Sequence, residues 1–204
     1  MKKNKFILML MPIVLLIGMP ACKDQQKQTL EEKTSVSEAL PGESIFNLTS
    51  SWRTQNNDSI VLSDLKGKVL VIVMIYTSCR AACPRLVADM RDIESKMPKD
   101  RLQKLNFVLV SIDPEVDTPA RLKAFSIENQ MDGPQWTFLQ GTTSSVREFA
   151  NVLAVKYKEI SPMDFSHSNI ISVFDQKGVL LHQQEGLGVN NKETVETIIK
   201  TVNQ

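Results

Sequence analysis

Seven consecutive apolar residues, Val69-Leu70-Val71-Ile72-Val73-Met74-Ile75, constrain this chain more than any other stretch. The run is too short to span a membrane, is rich in β-branched side chains, and follows the turn signal Lys66-Gly67-Lys68. It reads as a strand buried on both faces, as in the centre of a parallel sheet. Tyr76-Thr77-Ser78-Cys79-Arg80-Ala81-Ala82-Cys83-Pro84 comes next and leads into residues 85–97. There Leu86, Val87, Met90, Ile93 and Met97 recur at helical spacing, and Pro98 stops the pattern. Two thiols, Cys79 and Cys83, therefore lie at a strand-to-helix junction, four positions apart. On a helix, positions i and i+4 share a face, so both sulfurs can reach one another or one metal ion. Unpaired N–H groups at the helix start favour the thiolate form.

The remaining pattern alternates strands and helices. Residues 45–50 and 59–62 read as short strands around the polar turn Gln55-Asn56-Asn57-Asp58. Residues 106–112 form a second buried strand. Residues 119–129 form a helix with Thr118 as its cap and Pro119 in its first turn. A short strand at 136–139 and a helix at 143–153 follow. Strands at 170–174 and 179–183 flank the hairpin turn Asp175-Gln176-Lys177-Gly178, and a helix at 192–202 ends the chain. This order predicts an α/β domain with a mixed central sheet flanked by helices and an N-terminal β-hairpin extension.

The first residues read as a targeting segment. Lys2, Lys3 and Lys5 precede an apolar stretch over 6–19, and Met19-Pro20-Ala21-Cys22 follows. A small residue directly before a cysteine resembles a bacterial lipoprotein signal, although Met19 stands where leucine is usual and Pro20 is atypical. The expectation is a signal peptide over 1–21, lipidation of Cys22, a polar flexible tether over 22–43 and one domain over 44–204. That places the domain in an extracytoplasmic (periplasmic) space, anchored to a bacterial membrane. Three of the 24 basic residues belong to the leader, so the rest carries 21 basic against 23 acidic side chains. Such a balance offers no concentrated basic patch for nucleic acid. With Cys22 assigned to lipid, Cys79 and Cys83 have only each other. In an oxidising compartment such a pair is a disulfide, a metal site or a couple that cycles between them.

Three patches distant in sequence converge in an open α/β sheet, whose sites form at the carboxyl ends of parallel strands. They are the thiol pair, the run Ser111-Ile112-Asp113-Pro114-Glu115-Val116-Asp117-Thr118-Pro119, and Asp164-Phe165-Ser166-His167-Ser168 just before the strand at 170–174. The acidic run lacks the oxygen ligands of a calcium loop. It reads as a strand-end turn in which Asp117 or Thr118 caps the next helix. His182 reads as structural or exposed, Met74 as core, and Met163 as loop packing or a weak adventitious ligand near His167.

The thiol pair followed by proline, the Asp-Pro-Glu-x-Asp-Thr-Pro run and the late His-Ser before a strand together resemble the Sco/SenC family. The resemblance covers about residues 44–202, the whole domain in this reading. It implies a thioredoxin-like fold, copper as the metal, Cys79, Cys83 and His167 as its ligands, and a role in assembling the dinuclear copper centre of cytochrome c oxidase. The implied partners are a copper-receiving oxidase subunit and a thioredoxin-like reductant. Arg80 departs from the family pattern, which has proline after the first cysteine; a cation there should favour the Cys79 thiolate. Ser166 stands where an acidic residue is common. Two thiolates and an imidazole form a soft, open donor set suited to Cu(I) or Cu(II), unlike a closed four-ligand zinc site. Other readings use the same residues. A thiol-disulfide oxidoreductase would use Cys79 and Cys83 as its redox-active pair. A copper or redox sensor would use all three. A peroxidatic site fits less well, because Thr77 lies two residues before Cys79 and no upstream proline accompanies it.

Overall fold

The computed structural model describes residues 39–161 and 164–204. The expectations for the leader, for Cys22 and for Met163 lie outside the described residues. Among the described residues no helix is long and apolar enough to cross a membrane.

A seven-stranded mixed sheet forms the middle layer. Its strands are β1 (Ser51–Thr54), β2 (Ser59–Val61), β3 (Val69–Ile75), β4 (Leu105–Ser111), β5 (Trp136–Gln140), β8 (Ile170–Phe174) and β9 (Leu180–Glu185). Their spatial order is β2-β1-β5-β4-β3-β8-β9. The strands β3, β4 and β5 run parallel, while β8 and β1 join antiparallel at either side. Every residue of β3 and of β4 is buried, as a central parallel strand covered on both faces requires. Among the described residues four helices cover the sheet: α1 (Cys83–Ser95), α2 (Pro119–Glu128), α3 (Thr143–Val152) and α4 (Lys192–Val202). A second, two-stranded sheet pairs β6 (Tyr157–Ser161) with β7 (Asp164–His167). This is the thioredoxin-like α/β architecture expected from the sequence, with β1–β2 as the N-terminal hairpin and Met74 in the core.

Three local expectations are corrected. Residues 45–50 are not a strand; Ile45–Asn47 is a single 3₁₀ turn, and β1 begins only at Ser51. Adjacent Ile45 and Phe46 are both buried, which strand alternation forbids on a one-sided sheet. Ser44 accepts from the Phe46 amide at 3.1 Å, and the Ile45 amide donates to the Gly178 carbonyl at 2.9 Å. The segment thus packs on the β8–β9 turn, where Gly178 has φ +77° and any Cβ would come within 2.8 Å of Phe46. Second, α1 starts at Cys83 rather than Arg85, so Cys79 lies in the preceding loop and the two thiols do not share a helical face. Pro84 fits because a first-turn amide has no intrahelical partner to lose. Third, the β6–β7 hairpin is absent from the sequence reading. All of β6 is at least partly exposed, so no apolar alternation announces it. His167 ends β7 instead of lying in a loop before β8.

Candidate metal centre

The parallel pairing of β3 with β4 brings their carboxyl ends side by side, and the Ile112 amide donates to Ile75 at 2.8 Å just beyond them. The thiol loop, residues 76–82, therefore emerges beside the acidic run. Asp117 joins the two. Its side chain is fully buried and accepts from the Thr77 amide at 3.1 Å, from the Thr77 hydroxyl, and from the Ser111 hydroxyl at 2.6 Å. Arg121, one turn into α2, donates to the Thr77 hydroxyl at 2.5 Å and lies 3.7 Å from the Asp117 carboxylate. Asp117 is thus not a helix cap. Thr118 takes that role, accepting from the Arg121 amide at 3.4 Å.

Cys79 is half-buried and Cys83 almost wholly buried; both are free thiols. The Cys83 amide, an orphan donor at the start of α1, donates to the Cys79 sulfur at 3.3 Å. Cys79 thus satisfies the first amide of α1, whose N-cap residue, Ala82, makes no side-chain capping bond. Burial works against its thiolate, but hydrogen bonds from the Cys83 amide, the Tyr76 phenol, the Cys83 thiol and the Ala81 amide outweigh it, and its pKa falls below the usual thiol range. The lowering comes from these bonds rather than from Arg80, whose side chain is exposed. Cys83 behaves oppositely. Burial pushes its pKa up strongly, and negative charge at Cys79 and Asp117 adds to the rise.

His167 faces Cys83 from the other side. Its Nε2 lies 3.9 Å from the Cys83 sulfur, and its Nδ1 lies 3.0 Å from the Ser168 carbonyl. A carbonyl only accepts, so Nδ1 carries the proton and Nε2 presents a lone pair toward the sulfur. Burial lowers the His167 pKa, with a smaller opposing effect of the Ser168 carbonyl, and so keeps the ring neutral. A neutral imidazole with its far nitrogen anchored to a carbonyl is the form that binds metals.

The donors fit a soft metal ion. Bonds of about 2.3 Å to sulfur and about 2.0 Å to nitrogen, at a trigonal angle, separate the two donors by about 3.7 Å, close to the Cys83–His167 spacing. Cys83 contacts both Cys79 and His167. Among the described residues, however, no three His, Cys, Asp or Glu side chains already stand together as a metal cage.

The sequence pattern places Tyr76 and Asp164 in two of the converging patches but assigns neither a role. The Tyr76 phenol donates to Asp164 Oδ1 at 2.7 Å. His182 proves structural, its Nε2 lying 3.0 Å from the Thr194 hydroxyl of α4. Beside the site, a cleft of about 710 Å³ is bounded by the acidic run, α3 and the β6–β7 hairpin. Asp113 lines it, with its Oδ2 lacking a hydrogen-bond partner. Burial and the neighbouring Asp117 charge raise the Asp113 pKa.

The fold, with Cys83 at the start of its first helix and Cys79 in the loop before it, defines a thioredoxin-like protein with a cysteine site. The SCO1/SenC family pattern matches residues 39–203, and the chain belongs to that family. A SCO1 protein homolog of Bacillus subtilis is 32% identical over 101 residues, which are 49% of this chain and 52% of that protein. The alignment thus spans about half the length of that relative. Bradyrhizobium japonicum ScoI with copper bound is 25% identical, with a TM-score of 0.64 over 74% of this chain and 96% of that one. BsSco, described with a disulfide switch and as a member of the Sco family of cytochrome c oxidase assembly proteins, is 26% identical. Its TM-score is 0.62 over 76% of this chain and 91% of that one.

Proposed function

We propose that this chain is a copper chaperone that carries the ion as cargo on Cys79, Cys83 and His167. The observation that carries this reading is the Nε2 of His167 at 3.9 Å from the Cys83 sulfur, with its opposite nitrogen tied to Ser168. Copper is favoured because two thiolates and one imidazole are soft to borderline donors. The copper-bound relative supports the same choice. Cys79 completes the set when the loop at 76–82 adjusts around the ion. Three ligands leave a position open for an incoming donor, which transfer by ligand exchange requires. The recipient in this reading is the dinuclear copper site of cytochrome c oxidase, to which the chain delivers copper or whose thiols it keeps reduced. Lipid on Cys22 and the polar residues after it would tether the domain at the outer face of a bacterial membrane. A thioredoxin-like protein would keep the thiols reduced.

One observation favours a second reading. A half-buried Cys79 with lowered pKa beside a buried Cys83 with raised pKa is the division between attacking and resolving thiols. In that reading the Cys79 thiolate attacks a partner disulfide and forms a mixed disulfide, releasing one partner thiolate. Cys83 then loses its proton and displaces the second partner thiol, leaving Cys79–Cys83 oxidised and the partner reduced by two electrons.

Anaerobic copper titration separates the two. The reduced chain should bind about one copper ion, His167→Ala should bind far more weakly, and the Cys79→Ser, Cys83→Ser double variant should lose the site. If the reduced chain binds copper no better than the double variant, the copper reading fails. If His167→Ala leaves disulfide reduction intact while either single cysteine variant abolishes it, the redox reading gains.

A further inference from the structure

We infer that Tyr76 is a positioning residue for this site, holding the β6–β7 hairpin so that His167 stays against the thiols. The inference rests on the copper reading for its metal readout and stands apart from it for its structural one. Tyr76 is the first residue after β3, so its backbone belongs to the thiol loop. Its side chain is nearly inaccessible, and besides its interaction with the Cys79 sulfur its hydroxyl is held by the hairpin. It donates to Asp164 Oδ1 at 2.7 Å, with the Phe165 carbonyl a second acceptor at 3.2 Å, and it accepts from the Phe165 amide at 3.3 Å. Its ring meets two more hairpin side chains edge-on: Phe165 with centroids 5.2 Å apart and His167 at 5.8 Å.

These contacts follow from strand geometry. Phe165 and His167 are two residues apart on β7, so they project from the same face. That face is the less exposed one, while Asp164 and Ser166 are exposed. A single aromatic ring under this face touches both. Packing alone needs no hydroxyl; phenylalanine would fill the same volume. The buried oxygen ties the thiol loop to the hairpin through the Asp164 and Phe165 bonds, which fix the hairpin along its length as well as its depth, and Asp164→Ala removes the Asp164 part of that tie without touching the Tyr76–Cys79 interaction. Residue 167 is three positions from Asp164, so a slip of the hairpin displaces the imidazole from the sulfur. An imidazole held in place before the ion arrives costs less ordering when it binds.

Four proteins test this: the reduced wild-type chain, Tyr76→Phe, Asp164→Ala and Asp164→Asn. Backbone hydrogen exchange without metal is the first readout, and anaerobic titration with copper alone is the second. Tyr76→Phe and Asp164→Ala should speed exchange in β6 and β7 and leave β3 and β4 protected. Both should weaken copper binding about tenfold, the usual scale for groups that orient a ligand. Asp164→Asn keeps an acceptor oxygen and should behave as wild type in both. Faster hairpin exchange with unchanged copper affinity would overturn the positioning role, since the phenol would then serve the fold alone. Unchanged exchange in Tyr76→Phe would overturn the clamp itself. If the wild-type chain binds no copper, the copper reading fails, and the nuclear Overhauser contact between the Tyr76 and His167 rings in wild type and Asp164→Ala still decides the clamp. Its loss in Asp164→Ala supports positioning, and its persistence contradicts it.

Discussion

The two sides of the candidate site are built differently. The thiol side is tied into the core: its loop leaves a fully buried strand and is joined to β4 through the buried Asp117 carboxylate, with Arg121 of α2 closing the set from the surface. The histidine side is a small hairpin whose first strand is mostly solvent-facing and which meets the domain through Tyr76 and the His167–Cys83 contact. Buried hydrogen bonds to a carboxylate are strong and expensive to leave unmade, whereas an exposed hairpin of two short strands has little stability of its own. One side therefore anchors the loop that carries Cys79 and leads into Cys83, and the other brings the nitrogen toward Cys83. A site of this kind can hold an ion and still open to release it.

Removing the Asp117 carboxylate should produce the largest change. Asp117→Ala strands the Thr77 amide and the Ser111 hydroxyl in the interior. Each buried unsatisfied donor costs about 1–3 kcal/mol, so denaturant unfolding should show a loss of about 3 kcal/mol. A loss below about 1 kcal/mol would mean that the thiol loop is no more firmly held than the hairpin.

The second prediction concerns the unlike thiols. Limited alkylation of the reduced protein near pH 7, followed by mass spectrometry, should modify Cys79 at least about tenfold faster than Cys83, because the thiolate is the reactive form. Modification of Cys79 should slow as pH falls through its lowered pKa. Equal rates would remove the division of roles between the sulfurs.

The smallest effect concerns Asp113 at the edge of the cleft. Its carboxyl titrates above the ordinary range in the folded chain, so the folded state binds the proton more tightly than the unfolded one. That contribution is present below about pH 4, the ordinary carboxylate range, and is lost as pH rises through the raised folded value. Asp113→Asn mimics the neutral form. It should unfold at a slightly higher temperature than wild type at pH 7, by less than about 1 kcal/mol in stability, with the difference vanishing in acid. A less stable variant at pH 7 would show that the charged form is the one the fold prefers.

The same contrast explains what the sequence discloses. β3 is a continuous apolar run and β4 and β8 are mostly apolar, so all three are legible, as is α2 from Thr118 and Pro119. α1 starts two residues before the position the pattern suggests because its N-cap, Ala82, is none of the Ser, Thr, Asp or Asn residues that mark a helix start, and a sulfur from the preceding loop meets its first amide instead. The polar, exposed β6–β7 pair has no periodic apolar signal. His167 is brought near the thiols by sheet topology, and the family resemblance singles it out as a ligand. The burial of Asp117 depends on tertiary contacts with Thr77 and Ser111; the local hint is Arg121 four residues later, on a helical turn. Nothing local marks Tyr76 as a partner of Asp164, 88 residues away.

The central claim is that Cys79, Cys83 and His167 close around one copper ion. X-ray absorption at the copper edge of the reduced, copper-loaded chain tests it most directly. Two sulfur scatterers and one imidazole nitrogen per copper are expected, with the imidazole signal lost in His167→Ala. A copper environment of nitrogen and oxygen alone, or an imidazole signal unchanged in that variant, would contradict it.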